Sequence, residues 1–166
     1  MRAGLRGAAS DSVGLEQPGE DGREDEVEFC RERHGGVIDR DPQTGLYPYL
    51  GYLVEANGFR LYHAGDTCLY EGMHALLRAQ PCDLFILPIN GRDGRRLAAG
   101  CIGNMTWQEA ADLAGELAPG TVIPAHYDMF QGNMAPVDEF VEYMRLKYPA
   151  QRVVTPGYAE AVMLKK

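Results

Sequence analysis

The feature that most constrains this chain is a continuous apolar run, Leu84-Phe85-Ile86-Leu87-Pro88-Ile89. Apolar residues in unbroken succession, without alternation, suit a strand covered on both faces, and such a strand needs a layer above and a layer below. The flanking sequence offers the material. Upstream, residues 49–55 and 59–64 read as two strands, and Asn57-Gly58 between them is a hairpin turn whose two central positions favour positive φ. Residues 73–79 predict a helix. Downstream, Thr106-Trp107-Gln108-Glu109 is a capping box. In it the Thr hydroxyl caps the helix and the Glu carboxylate reaches back, and Pro119-Gly120 stops that helix after about Leu117. Residues 121–124 read as the next strand, and Pro136 starts a helix with Val137, Phe140, Val141 and Met144 on one face. Residues 152–155 and 161–164 predict the final strands. Hairpin, helix, strand, helix, strand, helix, strand is an α/β layered order. No internal repeat interrupts it.

The beginning of the chain has a different texture. Residues 1–26 combine a small, polar stretch, Gly7-Ala8-Ala9-Ser10-Asp11-Ser12, with the acidic run Glu24-Asp25-Glu26. There is little apolar material to offset the entropy of ordering, and a disordered, solvated leader is expected. Val27-Glu28-Phe29-Cys30 predicts a short strand leading to His34, followed by a loop over residues 35–48. The domain organisation is therefore a leader over 1–26 and one domain over 27–166, which is long enough for a real core.

Charge and composition narrow the partners. A net charge of -8 argues against nucleic-acid binding through a general basic surface. No apolar run approaches the ~20 residues of a membrane span, and no apolar stretch follows Arg2 and Arg6 as it would in a secretory signal. The four cysteines, at 30, 68, 82 and 101, have no C-x-x-C spacing. Two disulfides are open to them, but reduced thiols and a cytoplasmic location are the expectation for a chain of this size.

Three residues with ligand chemistry fall where strand-like runs end. Asp66 lies in His63-Ala64-Gly65-Asp66-Thr67, His126 lies in Pro124-Ala125-His126-Tyr127-Asp128, and His34 ends the first short run. In open α/β sheets, ligands bind at the carboxyl ends of strands. Taken singly, Gly-Asp-Thr is more often a turn than a ligand, and a lone His after a strand is more often structural. Asn90, Arg92 and Asn104 are candidates for contact with a substrate at the rim. A surface salt bridge explains Arg92 as well, and helix capping and packing also account for Asn104. His63 is expected to pack between layers, His74 to be exposed and Trp107 to be a packing anchor.

Taken together, Tyr62-His63-Ala64-Gly65-Asp66-Thr67, Leu87-Pro88-Ile89-Asn90-Gly91-Arg92-Asp93, Gly103-Asn104-Met105-Thr106 and Ile123-Pro124-Ala125-His126-Tyr127-Asp128 resemble the metallo-β-lactamase fold. They are closest to the branch similar to the L-ascorbate-6-phosphate lactonase, and the resemblance covers residues 27–166. It implies the C-terminal half of an αββα sandwich, a mixed sheet with flanking helices. It also implies a site of two metals, zinc or manganese, at which metal-bound hydroxide attacks an ester, lactone or phosphoester of a small-molecule substrate. By resemblance His34 completes the first metal's ligands, Asp66 bridges the two metals as the catalytic carboxylate, and His126 is the last ligand of the second. The family's His-x-His-x-Asp-His run is nowhere in this sequence, whose histidines number four in all. Each metal would keep two protein ligands where a catalytic zinc normally has three. Two expectations follow: a metal-dependent hydrolase whose site is incomplete in this chain, or a truncated, non-enzymatic remnant acting as an interaction module. A half-sandwich would also leave an apolar sheet face open to a homo-oligomer or another partner.

Overall fold

The computed structural model describes residues 11–18, 24–31, 43 and 50–164. Six strands form one mixed sheet in sequence order: β1 (Asp11–Pro18), β2 (Glu24–Arg31), β3 (Leu50–Ala56), β4 (Phe59–His63), β5 (Leu84–Pro88) and β6 (Thr121–Ala125). β1 to β4 are antiparallel neighbours, whereas β4, β5 and β6 run parallel. Parallel neighbours need long crossovers, and helices supply them. α1 (Met73–Arg78) lies between β4 and β5, α2 (Gly94–Ala98) and α3 (Trp107–Leu117) lie between β5 and β6, and α4 (Val137–Lys147) follows β6.

The register decides which side chains share a face. Leu53, Tyr62, Phe85 and Val122 form one row across β3 to β6, and all are buried. Met73 and Leu77 of α1, Ala110, Leu113 and Ala114 of α3, and Phe140 and Met144 of α4 join this row in a single core. The Tyr62 and Phe85 rings meet edge-on, with centroids 5.4 Å apart, the arrangement favoured by aromatic quadrupoles. The opposite face of the sheet carries the rows Val54–Leu61–Leu84–Thr121 and Tyr52–His63–Ile86–Ile123. There Val54, Leu61, Ile86 and Ile123 are half-buried and Tyr52 is 39% exposed.

Local chemistry explains where elements begin and end. Asn57 and Gly58 have φ of 52° and 71°, the left-handed pair that a tight hairpin requires. The capping box at α3 closes in both directions: Thr106 Oγ1 accepts from the Glu109 N–H at 3.2 Å, and Glu109 Oε2 accepts from the Thr106 N–H at 2.8 Å. Trp107 packs edge-on against Tyr143 at 5.5 Å, tying α3 to α4 as a packing anchor.

Several expectations need correction. Asp11–Pro18 is a strand paired with β2, within the stretch predicted as a disordered leader. β2 begins at Glu24, because antiparallel pairing gives this polar backbone a ladder that its composition did not announce. Residues 152–155 and 161–164 do not form strands; Val153 makes one parallel bridge to Val122, and the backbone leaves the sheet. α2 was not foreseen, since its five residues carry no apolar stripe and it stands on a side-chain cap from Asp93 to the N–H groups of Arg95 and Arg96. His63 is exposed rather than packed between layers, and its Nδ1 accepts from the Gly65 N–H at 3.0 Å. Among the described residues no helix is long and apolar enough to cross a membrane, and Cys68, Cys82 and Cys101 are in no disulfide bond.

Candidate metal centre

Because β4, β5 and β6 are parallel, their carboxyl ends open on one edge of the sheet. The chain leaving β4 reaches Asp66, the chain leaving β5 reaches Asn90, and the chain leaving β6 reaches His126. Backbone bonds hold the three exits together: the Ala64 N–H donates to Ile86 O, and the Ile89 N–H donates to Ala125 O, both at 3.0 Å. Gly65 turns the first exit with φ of 63°, and a Cβ there would lie 3.1 Å from Leu50 O, so a side chain would be strained twice over.

Asp66 and His126, sixty residues apart in sequence, meet at this edge. Asp66 Oδ1 lies 3.4 Å from His126 Nε2, with the carboxylate 53% exposed and the imidazole 17% exposed. His126 has φ of 58°, a conformation that costs a non-glycine residue about 1–2 kcal/mol. The His126 and Phe130 ring centroids lie 6.4 Å apart.

These two side chains fit part of a metal site. Two donors on a tetrahedral zinc, each about 2.1 Å from it, lie roughly 3.4 Å from one another. The observed separation of 3.4 Å is that of two corners of one coordination shell. The fit ends there. No group of three His, Cys, Asp or Glu able to hold a metal exists among the described residues. The buried His126 Nδ1 has no partner, although a ligating histidine normally donates its other ring N–H to an acceptor. His34 lies outside the described residues.

The three rim candidates are brought close to one another. Asn90 and Asn104 are buried, and Asn104 Nδ2 donates to Asn90 Oδ1 at 2.8 Å. Asn90 Nδ2 donates in turn to Asn133 Oδ1 at 2.9 Å. Arg96 Nη1 donates to the Asn90 carbonyl at 2.9 Å and to Asn133 Oδ1 at 2.5 Å. Sequence reasoning missed Arg96 and Asn133; only the fold places α2 and the loop after β6 beside the end of β5. Asn104 Oδ1 is buried without a partner. Arg92 grips Glu109 with two 2.6 Å bonds and donates to the Asn104 carbonyl at 3.1 Å. Burial pushes the Glu109 carboxyl up, but the Arg92 guanidinium and the Thr106 N–H outweigh it and hold the group below the usual carboxylate range. Gly103 has φ of 77°, and a Cβ there would lie 2.3 Å from Gly91 O, so this turn admits glycine alone without a backbone shift.

Residues 11–127 match the family described as the Beta-lactamase superfamily domain. The chain is 30% identical over 137 residues to a UPF0173 metal-dependent hydrolase of Desulfitobacterium hafniense, covering 79% of this chain and 54% of that protein. It is 30% identical over 161 residues to another from Natranaerobius thermophilus, covering 93% of this chain and 65% of the relative. Among solved structures it is similar to a metallo hydrolase from the archaeon Ignicoccus hospitalis, with a TM-score of 0.65 at 21% identity, over 86% of this chain and 54% of that one. This last likeness is one of fold. The chain spans about half the length of the curated relatives that match it first, 54% and 50%.

Proposed function

Because the chain belongs to the metallo-β-lactamase superfamily and is similar to UPF0173 metal-dependent hydrolases, we propose that Asp66 and His126 are its contribution to a metal-dependent hydrolytic centre. The observation that carries this reading is the 3.4 Å approach of Asp66 Oδ1 to His126 Nε2 at the shared carboxyl edge of β4 and β6. A metal held there would supply a Lewis acid and a water of lowered pKa. The chain's own residues do the rest. Gly65 and the left-handed backbone of His126 turn the two chain exits from which Asp66 and His126 approach to 3.4 Å. The buried Asn90–Asn104 pair, clamped by Arg96, fixes the floor of the site. Arg92 is the rim candidate whose guanidinium is still partly exposed, and we assign it contact with an anionic group of the substrate.

Zinc and manganese both suit a histidine–carboxylate pair. An ester, lactone or phosphoester of a small molecule, as in the lactonase-like branch, is the substrate class we propose. The remaining ligands are absent from this sequence as a His-x-His-x-Asp-His run. The second sheet face, where Val54, Leu61, Ile86 and Ile123 are half-buried, is where we place a further β-layer.

A second reading, an interaction module without activity, is favoured because Asp66 and His126 meet as a pair with no third metal-ligating side chain grouped with them among the described residues. Equilibrium dialysis of the purified chain against Zn²⁺ and Mn²⁺ tests both. We expect one weakly held ion per chain, lost in Asp66→Ala and in His126→Ala. Two tightly held ions would contradict an incomplete site, and no ion at all would favour the module. Lactone or phosphoester turnover abolished by Asp66→Ala would exclude the module.

A further inference from the structure

The loop that begins at His126 and ends at α4 keeps three large apolar side chains out of the core. Met129, Phe130 and Met134 are 60%, 59% and 59% exposed. Single exposed hydrophobic residues are ordinary, but clusters next to a site are not. These three fall within six residues of chain, and the Phe130 ring lies 6.4 Å from the His126 ring.

The exposure does not come from a loosely tethered backbone. Asn133 Oδ1 is held by Asn90 Nδ2 and by Arg96 Nη1. The Asn133 N–H donates to Phe130 O at 3.0 Å and the Ala135 N–H donates to Tyr127 O at 2.9 Å, closing the loop on itself. Tyr127 and Ala135, at its base, pack against the core. The loop is therefore anchored at both ends and through its middle, with its apolar side chains turned outward.

We propose that Met129, Phe130 and Met134 form an apolar platform for the non-reacting carbon portion of the substrate, an uncharged acyl or aryl group of several carbons whose hydrolysable end lies at Asp66 and His126. The proposal rests on the hydrolytic reading of that pair. Thioether side chains adapt to the shape of what they contact, and a phenyl ring gives a flat surface, so together they accept chains or rings. The local charges disfavour an anionic tail: Asp128 is the one charged residue between Tyr127 and Pro136, and the Arg96 guanidinium that reaches Asn133 is paired with Asp93.

The test uses the full chain, labelled with ¹³C at the methionine methyl groups and titrated with acetamide, butyramide, hexanamide and benzamide. These probes are neutral, so neither the carboxylates nor a metal is needed for them to bind. The platform predicts shifts of the Met129 and Met134 methyl signals, with hexanamide binding about tenfold or more tighter than acetamide, the direction set by apolar area removed from water. Phe130→Ser and Met129→Ser should lower hexanamide affinity at least about fivefold, and Leu146→Ser, equally exposed on α4, should leave it unchanged. Equal affinity for all four amides would overturn the proposal. Methyl shifts that follow protein concentration instead of amide would also overturn it and identify a second copy as the occupant. The metal titration is separate: a chain that keeps the amide series but binds no metal retains the platform and loses the hydrolytic reading.

Discussion

Glu109 shows how one side chain can hold several parts of the structure at once. It caps α3 by accepting from the Thr106 N–H, and it pins Arg92, which in turn holds the Asn104 carbonyl. Its folded-state pKa is depressed, so the stability it contributes is fully present above the unfolded carboxyl pKa and is lost as pH falls through the folded one. Glu109→Gln should therefore lower stability by roughly 0.5–1 kcal/mol near neutral pH, the range for a half-exposed ion pair. Chemical denaturation at a series of pH values should show that difference shrinking once pH falls below the unfolded carboxyl pKa of about 4.3 and vanishing as it passes through the lower folded one. A gap that stays constant to pH 2 would mean the contribution is not ionic. Cys82 makes the opposite case, since burial pushes its thiol up to about 12 and leaves it a packing residue.

At the scale of elements, α3 is the helix whose limits were most legible. Its start is written in Thr106 and Glu109, and its end in Pro119-Gly120, with Ala118 taking a left-handed φ of 49°. Thr106→Ala removes the hydroxyl acceptor and should destabilise the protein by about 1 kcal/mol, a fall in Tm of a few degrees. Thr106→Ser should restore most of it, because the acceptor returns. The strands β3 to β6 were also legible, since alternation or an unbroken apolar run marks each one. α2 was not, because a five-residue helix has too few turns to show a period. Nor was β1, whose residues Asp11–Pro18 read as polar chain and become a strand by pairing with β2. Residues 161–164 have strand-like composition, yet no neighbouring strand pairs with them. Composition sets the propensity of a segment, and a partner decides whether it is realised.

At the scale of the molecule, the sheet has two unlike faces. One packs under α1, α3 and α4, and the other carries the rows Val54–Leu61–Leu84–Thr121 and Tyr52–His63–Ile86–Ile123. We expect the purified chain to associate through this second face. Sedimentation velocity should find species larger than 18.3 kDa whose population rises with concentration. Val54→Thr with Ile123→Thr should shift the distribution toward monomer. A monomer at all concentrations would remove the face from the list of interaction surfaces.

The layered α/β class, the hairpin at Asn57-Gly58, the capping box of α3 and the placing of Asp66 and His126 at strand ends are all written in the amino-acid order. All of these are local: a period, a turn preference or a cap spans a few residues, and its physics is complete within them. The tertiary fold, in contrast, sets the 3.4 Å meeting of Asp66 and His126, the left-handed backbone of His126 and the polar network that Arg96 and Asn133 close around Asn90. It also leaves Met129, Phe130 and Met134 exposed, with the Phe130 ring 6.4 Å from that of His126. These facts depend on parallel pairing of β4, β5 and β6, which brings chain exits separated by tens of residues to one edge. Register and crossover geometry, not the residues flanking each exit, set which side chains meet there.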